Sequence, residues 1–392
     1  MTHPAHGAAC DRMAVLIGTK PAEGYLTLAR LGVPFIWIVD PADGPVPDPQ
    51  AAAAVVRAPF KTDPLSVLQH TFPPQVSGVF SFTEMGSLPA ALLAESLGVP
   101  TVPVRAVLRA RDKHLMRRLT AAEPTTPAFG IVGREEPDSS VFPVVLKPAD
   151  GTGSQGVEYV PDRPAYRRLS PERTGALWEQ YVDGAEYSVE AVSADGEHRI
   201  LGITAKRTTG KPYFVETRHE VPARVTPDVE REIRACVGRT LDLLEVTTGA
   251  SHTEVKLDGG RPVLIETHTR AGGDRIPLLT KLVSGVDQIE LAVRSVLPWV
   301  EVRTTEPAAA YAAVHYFPWQ AATLVGVDGL EKSREIDGVV EVEVPLAEGG
   351  DIPVWRYSHE RPGHVVVAGS DPEDLDRVIA EVEATLNPRL RR

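Results

Sequence analysis

Cysteine and asparagine are scarce in this chain, and lysine is scarce beside arginine. Two cysteines far apart, Cys10 and Cys236, among 392 residues leave no disulfide framework and no cysteine-built zinc site. Such usage fits a reducing, cytoplasmic setting. Apolar runs are short, and none approaches the ~18–20 residues of a membrane-spanning helix. The start, MTHPAHGAACDRM, has no basic stretch followed by an apolar one, so it does not read as a signal peptide. Positive charge is the minority sign. There are 41 Lys+Arg against 53 Asp+Glu, a net charge of −12, which argues against a general nucleic-acid binder. Only nine of the basic residues are lysines and 32 are arginines, so a lysine inside an apolar strand is informative. Asparagine occurs once, at Asn387. A hydrophobic content of 43% and a charged content of 24% rule out wholesale disorder. At about 100–200 residues per domain, the length predicts two or three domains.

What is present changes character along the chain. The first third alternates apolar runs (13–18, 35–40, 55–60 and 79–84) with helical patterns (22–31, 63–72 and 88–98). Continuous β-branched runs separated by helices predict a parallel sheet covered on both faces. Residues 105–118 then concentrate six basic residues against one Asp, which reads as a solvated helix face or a phosphate-facing surface. From 127 to 222 the pattern is of strands and turns, and predicts antiparallel sheet. A long helix over 226–244, a hairpin over 251–268 with an Asp-Gly-Gly-Arg turn, and helices at about 276–283 and 287–297 follow. The tail is again α+β. The fold class is therefore α/β and α+β, with boundaries near 105 and 303. Three parts result: an α/β domain over 1–105, a two-lobed domain over 106–303 with its small antiparallel lobe at about 125–185, and an α+β subdomain over 304–392.

Gly151-Thr152-Gly153-Ser154-Gln155-Gly156 matches a Gly-x-Gly-x-x-Gly pattern, but a dinucleotide fingerprint needs a helix after the loop. Here a strand follows, which disfavours an oxidoreductase. No Lys-Ser/Thr follows the last glycine, so the loop is not a Walker A motif. It reads as a flap between antiparallel strands that offers backbone N–H groups to a triphosphate, with a plain hairpin turn as the alternative. Lys147 ends the apolar run Val144-Val145-Leu146 just before this flap. A buried ammonium needs an anionic partner. A phosphate under the flap supplies one, and a nearby carboxylate is the less favoured choice.

Glu254 and Glu266 occupy the two strands of the 251–268 hairpin. Alternation puts Lys256 beside Glu254, and His268 and Arg270 beside Glu266. Two glutamates facing one site repel unless cations lie between them, and Mg2+ takes carboxylate and phosphate oxygens. The alternative is a solvated hairpin face. Gly272-Gly273 weakens it, because glycines there point to close backbone approach. In Trp-Glu-Gln-Tyr-Val (178–182), extended backbone can offer an adenine edge its N–H and C=O, and Glu186 past the turn can accept ribose hydroxyls.

In this order the segments PVVLKPADGTGSQGV, WEQYVDGAEYSVE, FVETRHEVPA and SHTEVKL…PVLIETHTRAGGD resemble the ATP-grasp superfamily. They look most like its carboxylate–amine ligases of the L-amino-acid ligase type, over roughly residues 10–390 in layout. The resemblance implies a preATP-grasp parallel-sheet domain, two lobes gripping ATP, and a C-terminal α+β subdomain. It also implies a reaction: ATP phosphorylates a carboxylate to an acyl phosphate, an amine attacks, and an amide, ADP and phosphate result. By resemblance Lys113 and Lys147 contact the phosphates, together with the 151–156 flap. Gln180 and Val182 give backbone contacts to adenine with Glu179 beside them, and Glu186 holds the ribose. Glu254 and Glu266 ligate Mg2+. Arg270 binds the transferred phosphoryl group, a task suited to a guanidinium. Glu216 and His219 line the amino-acid site, Glu216 for an ammonium group and His219 to polarise a carbonyl or relay a proton; a surface hairpin histidine is the alternative for His219. Gly273, Asp274 and Arg275 are candidates for substrate choice. Homodimers are common in the family.

One departure stands out. Many ATP-grasp enzymes carry Glu-x-Asn-x-Arg with the Asn as a metal ligand, whereas this chain has Glu266-Thr267-His268-Thr269-Arg270. Mg2+ prefers oxygen and Mn2+ accepts imidazole more readily, so His268 is a site residue whose role the sequence leaves open. The leading expectation is an ATP-dependent carboxylate–amine ligase (ADP-forming) acting on an amino acid or small metabolite. The alternatives are a purine-pathway or carboxylase-type enzyme using formate or bicarbonate, and a nucleotide-binding protein without turnover.

Overall fold

The computed structural model describes residues 12–149 and 155–391. Four short strands open the chain: β1 (Met13–Ile17), β2 (Phe35–Val39), β3 (Ala54–Arg57) and β4 (Val76–Phe80), with α1 (Ala22–Arg30) between the first two and α2 (Glu84–Leu97) after the fourth. They pair in parallel in the order β3-β2-β1-β4, as continuous apolar runs predict. All five residues of β2 are buried. Two boundaries differ from expectation. The pattern over 63–72 forms only a 3-10 turn, Pro64–Gln69. The strand expected over 79–84 ends at Phe80, and the helix expected from 88 begins at Glu84. Thr83 explains the shift: its side chain accepts the N–H of Gly86 at 3.0 Å and caps the helix early. Glu84 thereby becomes the first helical residue.

Helices α3 (Val104–Arg111) and α4 (Lys113–Thr120) lead into a small lobe of β5 (Phe129–Ile131), β6 (Val144–Lys147), β7 (Glu158–Val160), α5 (Arg163–Leu169) and β8 (Leu177–Gln180). Its four strands are antiparallel in the order β5-β8-β6-β7. The all-strand reading of 127–222 missed α5, which starts where Asp162 accepts the N–H of Ala165 at 2.8 Å and Pro164 fits the first turn.

The large lobe follows with β9 (Glu186–Ala194), β10 (Glu197–Thr208), β11 (Glu216–Val221), α6 (Pro227–Leu243), β12 (Gly249–Asp258), β13 (Arg261–His268), α7 (Ile276–Ser284) and α8 (Gln288–Val296). The chain ends with β14 (Tyr311–Tyr316), β15 (Ala322–Asp328), α9 (Leu330–Arg334), β16 (Val339–Glu343), β17 (Asp351–Ile352), β18 (His364–Gly369), α10 (Pro372–Thr385) and β19 (Asn387–Arg391). An eight-stranded sheet runs β13-β12-β9-β10-β11-β14-β18-β16, so three C-terminal strands extend the sheet of the large lobe. No helix among the described residues is long and apolar enough to cross a membrane.

The two faces of this sheet have opposite chemistry. Tyr187, Val189, Ala191, Ile203 and Val255 pack on Ile233, Cys236, Val237 and Leu241 of α6. The alternate positions are polar, and register aligns them across strands. Glu254 lies opposite Glu266 and Ser188, Lys206 opposite Glu186 and His219, and His252 opposite Glu190 and His268. A bulge on β11, where Arg207 pairs with Arg218 but Thr208 with Glu216, brings Glu216 onto the face of His219. Three residues apart on a regular strand, these two side chains would face opposite ways.

The linker from β8 to β9 joins the lobes and lies tight against β12. Leu257 donates its N–H to Ala185 O at 3.0 Å, and a Cβ on Gly184 would run into the carbonyl of Leu257. Gly184→Ala is expected to cost about 1–3 kcal/mol in denaturant unfolding. An unchanged midpoint would contradict this tight approach.

Candidate functional site

A cavity opens between the small sheet and the polar face of the large one. Lys113, Lys147, Gln180, Val182, Glu186, Glu254 and Glu266 all line it, with Phe214 and Lys256. The sequence-predicted phosphate, base and metal residues thus converge. Gly151, Thr152, Gly153 and Ser154 lie outside the described residues. Gln155 is exposed, and Gly156 has φ +72°.

Lys147 is buried at the end of β6 and its Nζ lies 2.6 Å from Glu179 Oε2. Its partner is thus the carboxylate, the less favoured choice above, although Lys147 still reaches the cavity wall. Glu179 does not lie free beside a base. Its other oxygen accepts from Arg117 Nε at 2.6 Å, and Arg117 Nη2 donates to Ile265 O at 2.6 Å. Burial opposes the charge on Glu179, but Arg117 and Lys147 outweigh it and hold its pKa at about 2. This triad ties α4, β6, β8 and β13 together. The Gln180 N–H is taken by Ala128 O at 2.8 Å, so that group is not free for an adenine edge.

Glu186 is held by Lys206 at 2.8 Å and Lys256 at 3.5 Å. Lys206 Nζ is also 2.5 Å from Glu254 and 3.6 Å from Glu216. His252 bridges Glu190 (2.6 Å) and Glu254 (3.3 Å), and burial is outweighed by these carboxylates, which raise its pKa to about 9. Glu266 lies 3.2 Å from Lys113 and 3.0 Å from His268 Nε2. The other nitrogen of His268 is 2.9 Å from Glu84. Burial disfavours the charged ring, but Glu266 and Glu84 raise the His268 pKa. Glu254 and Glu266 thus present carboxylate oxygens from facing strands beside two lysines. Burial and the nearby Glu266 oppose the charge on Glu254, but Lys206 and His252 outweigh them and hold its pKa well below the usual range. Burial likewise opposes the charge on Glu266, and Lys113 and His268 hold its pKa well below that range. All-oxygen donors of that kind, with room for phosphate oxygens and water, fit Mg2+. Both ring nitrogens of His268 face carboxylates, Glu84 and Glu266.

A second cavity lies past the end of β13. Glu84, Arg270, Gly273, Asp274, Arg275, Ser358 and Arg361 contribute to its wall, together with Lys20 and Tyr316. Arg270 Nε donates to Glu84 Oε2 at 3.0 Å. Asp274 accepts from Arg361 at 2.6 and 2.9 Å and faces His219 Nε2 at 3.0 Å. Burial works against the Asp274 charge, yet His219 and Arg361 hold its pKa well below the usual range. His219 is 1% exposed, which excludes the surface-hairpin alternative. Glu216 accepts from Ser358 Oγ at 2.5 Å. Glu216 and His219 therefore sit behind Ser358, Asp274 and Arg361 rather than on the wall itself. Asp274 and Arg275 have φ of +55° and +62°, consecutive left-handed residues that mark strain at this turn. Gly272 is the glycine that close approach requires: a Cβ would lie 2.8 Å from His252 Nδ1. Gly273 borders open space.

Several participants escaped the sequence reading. Lys206 and His252 carried a usable signal, a scarce lysine in an apolar strand and a histidine two residues before Glu254. Glu84, Glu190, Arg117 and Arg361 had none, because their partners lie 62 to 184 positions away or, for Arg361, 87. Lys206→Met is expected to destabilise the protein by about 3–5 kcal/mol in urea unfolding, since it strands buried carboxylates. A loss below about 1 kcal/mol, the size of an exposed pair, would refute this role.

Comparison with known proteins now has a geometry to meet. The ATP-grasp domain model matches residues 163–277, and the model for L-amino acid ligase C-terminal domain 2 matches residues 315–391. Dapdiamide A synthase of Enterobacter agglomerans is 26% identical over 262 residues, covering 62% of this chain and 61% of that protein. Alanine–anticapsin ligase of Bacillus subtilis is 28% identical over 260 residues, covering 55% and 53%. The matched stretch thus spans only about half to three-fifths of these relatives. The crystal structure of an L-amino acid ligase from Bacillus licheniformis superposes with a TM-score of 0.83 at 24% identity, over 97% of this chain and 99% of that one. This chain has the ATP-grasp fold, and the ATP-grasp domain model and the model for L-amino acid ligase C-terminal domain 2 match successive parts of it.

Proposed function

We propose that this protein is an ATP-dependent ligase that joins the carboxylate of one amino acid or small metabolite to the amine of another, releasing ADP and phosphate. One observation carries the reading: the short run from Glu266 to Arg270 borders both cavities. Glu266 faces the lysine-lined cavity, and Arg270 faces the other. A triphosphate end and a carboxylate can therefore meet at one place, which in-line transfer requires.

In this reading the nucleotide occupies the first cavity. Lys113 and Lys147 contact its phosphates. Val182 backbone and the Gln180 carbonyl border the base, and Glu186 the ribose. Glu254 and Glu266 hold Mg2+, which when bound neutralises phosphate charge. The acid sits in the second cavity. Its carboxylate oxygen attacks the γ-phosphorus, the bond to ADP breaks, and an acyl phosphate forms. Arg270 offsets the charge on the transferred group and on the tetrahedral species that follows. The amine attacks the acyl carbon, loses a proton, and phosphate leaves. Asp274, kept ionised by Arg361 and His219, is the carboxylate best placed to hold an ammonium group. Glu216 and His219 orient that wall from behind. Alanine–anticapsin ligase, by its name a ligase of an amino acid, supports this substrate class. The domain division at about 105 and 303 belongs to the same reading.

Pairwise screening of acids and amines by phosphate release, with mass analysis of products, tests the assignment. ADP and phosphate should appear only when both partners are present. AMP release would overturn it, and ADP formed with formate or bicarbonate alone would favour a carboxylase-type activity. Glu266→Gln is expected to abolish turnover while circular dichroism stays unchanged; near wild-type turnover would remove Glu266 from the metal site.

A further inference from the structure

The end of β13 is organised by a residue from another domain. Glu84 opens α2, which leads out of the N-terminal parallel sheet. One of its oxygens, Oε2, accepts from His268 Nδ1 at 2.9 Å and from Arg270 Nε at 3.0 Å. His268 Nε2 lies 3.0 Å from Glu266 Oε1. Glu84 itself is held still. Thr83 caps the helix, and Arg111 Nη1 donates to the Glu84 carbonyl at 2.7 Å. The chain Glu84–His268–Glu266 thus runs from the wall of the second cavity to the wall of the first.

We propose that Glu84 is a positioning residue that sets Glu266 through His268 and sets Arg270 directly, so that the N-terminal domain aligns the metal carboxylate and the transfer arginine together. The proposal rests on the assignment of Glu266 as a metal-holding residue. It gives a physical reason for the histidine. An asparagine amide carries both its donors on one nitrogen. An imidazole carries its two nitrogens on opposite sides of a ring, which is the geometry needed to span two carboxylates. His268 is buried at 6% exposure, so the span is shielded from competing water. At this position the side chain is a strut between carboxylates rather than a ligand, and outer partners of this kind orient metal ligands.

The test uses Mn2+ binding to the full chain in the presence of a non-hydrolysable ATP analogue, read by electron paramagnetic resonance. Glu84→Ala is expected to weaken Mn2+ binding about 10-fold, the size of a lost outer partner, although Glu84 touches neither metal nor nucleotide. Glu84→Gln keeps an acceptor oxygen and should lose less. In a His268→Leu background the same Glu84 changes should have no further effect on Mn2+ affinity, because their route is gone. Wild-type Mn2+ affinity in Glu84→Ala, or additive losses in the double variant, would overturn the proposal. If Glu84→Ala does not fold, Glu84→Gln in the two backgrounds decides: a loss with His268 and none without it supports the strut, and equal effects overturn it. Binding is read without turnover. Coupled Mn2+ binding with no amide product from any acid–amine pair would sink the ligase reading alone, and absence of nucleotide-dependent Mn2+ binding would sink both.

Discussion

A lysine ammonium surrounded by carboxylates on one face of a β-sheet is the constraint around which the site is arranged. The Lys206 side chain is 3% exposed and has Glu186, Glu254 and Glu216 within 3.6 Å. Its desolvation is severe, but three carboxylates outweigh it and push its pKa well above normal. Glu254 in turn needs the lysine: burial opposes its charge, and Lys206 is the largest influence that restores it. Strand register is thereby specified twice, once by the apolar face on α6 and once by the charges on the other face. A slip of one residue would put both sets on the wrong side.

From Lys206 the same pattern spreads outward. His252 joins Glu254 to Glu190, His268 joins Glu266 to Glu84, and Arg117 with Lys147 encloses Glu179. Gly272 fits against the Glu190–His252 pair and donates its N–H to Glu190 at 3.1 Å. These contacts connect the parallel-sheet domain, the small lobe and the large lobe. A cavity wall built this way holds its carboxylates aimed before any ligand arrives. Such preorganisation is what makes electrostatic catalysis effective.

Much of this was legible along the chain. Continuous apolar runs with helical spacers yielded the parallel N-terminal sheet. The alternation in 251–268 put Glu254 and Glu266 on facing strands of a hairpin. A lysine interrupting an apolar strand marked Lys147; the same signal at Lys206 went unread. The errors were local contests between signals. A cap at Thr83 beat the strand-like VFSFTE run, and the Asp-Arg-Pro start of α5 was passed over inside a stretch read as strands. Lys147 was assigned to a phosphate because its carboxylate partner, Glu179, lies on a strand that pairs with it only after folding. Glu216 and His219 shared a face only because of a bulge that residue types do not announce.

Periodicity and residue type by themselves determined most of the strands and helices, the polar face of the 251–268 hairpin, and that carboxylates, lysines and an arginine belong to one site. Those are short-range properties, set by backbone sterics and side-chain alternation within a few residues. Partner choice was decided only by the tertiary structure. Glu84 with His268, Glu190 with His252 and Arg361 with Asp274 join positions separated by 184, 62 and 87 residues. An ion pair in a dry interior depends on distance, burial and every neighbouring charge at once. Those quantities exist only when the sheets have closed on one another.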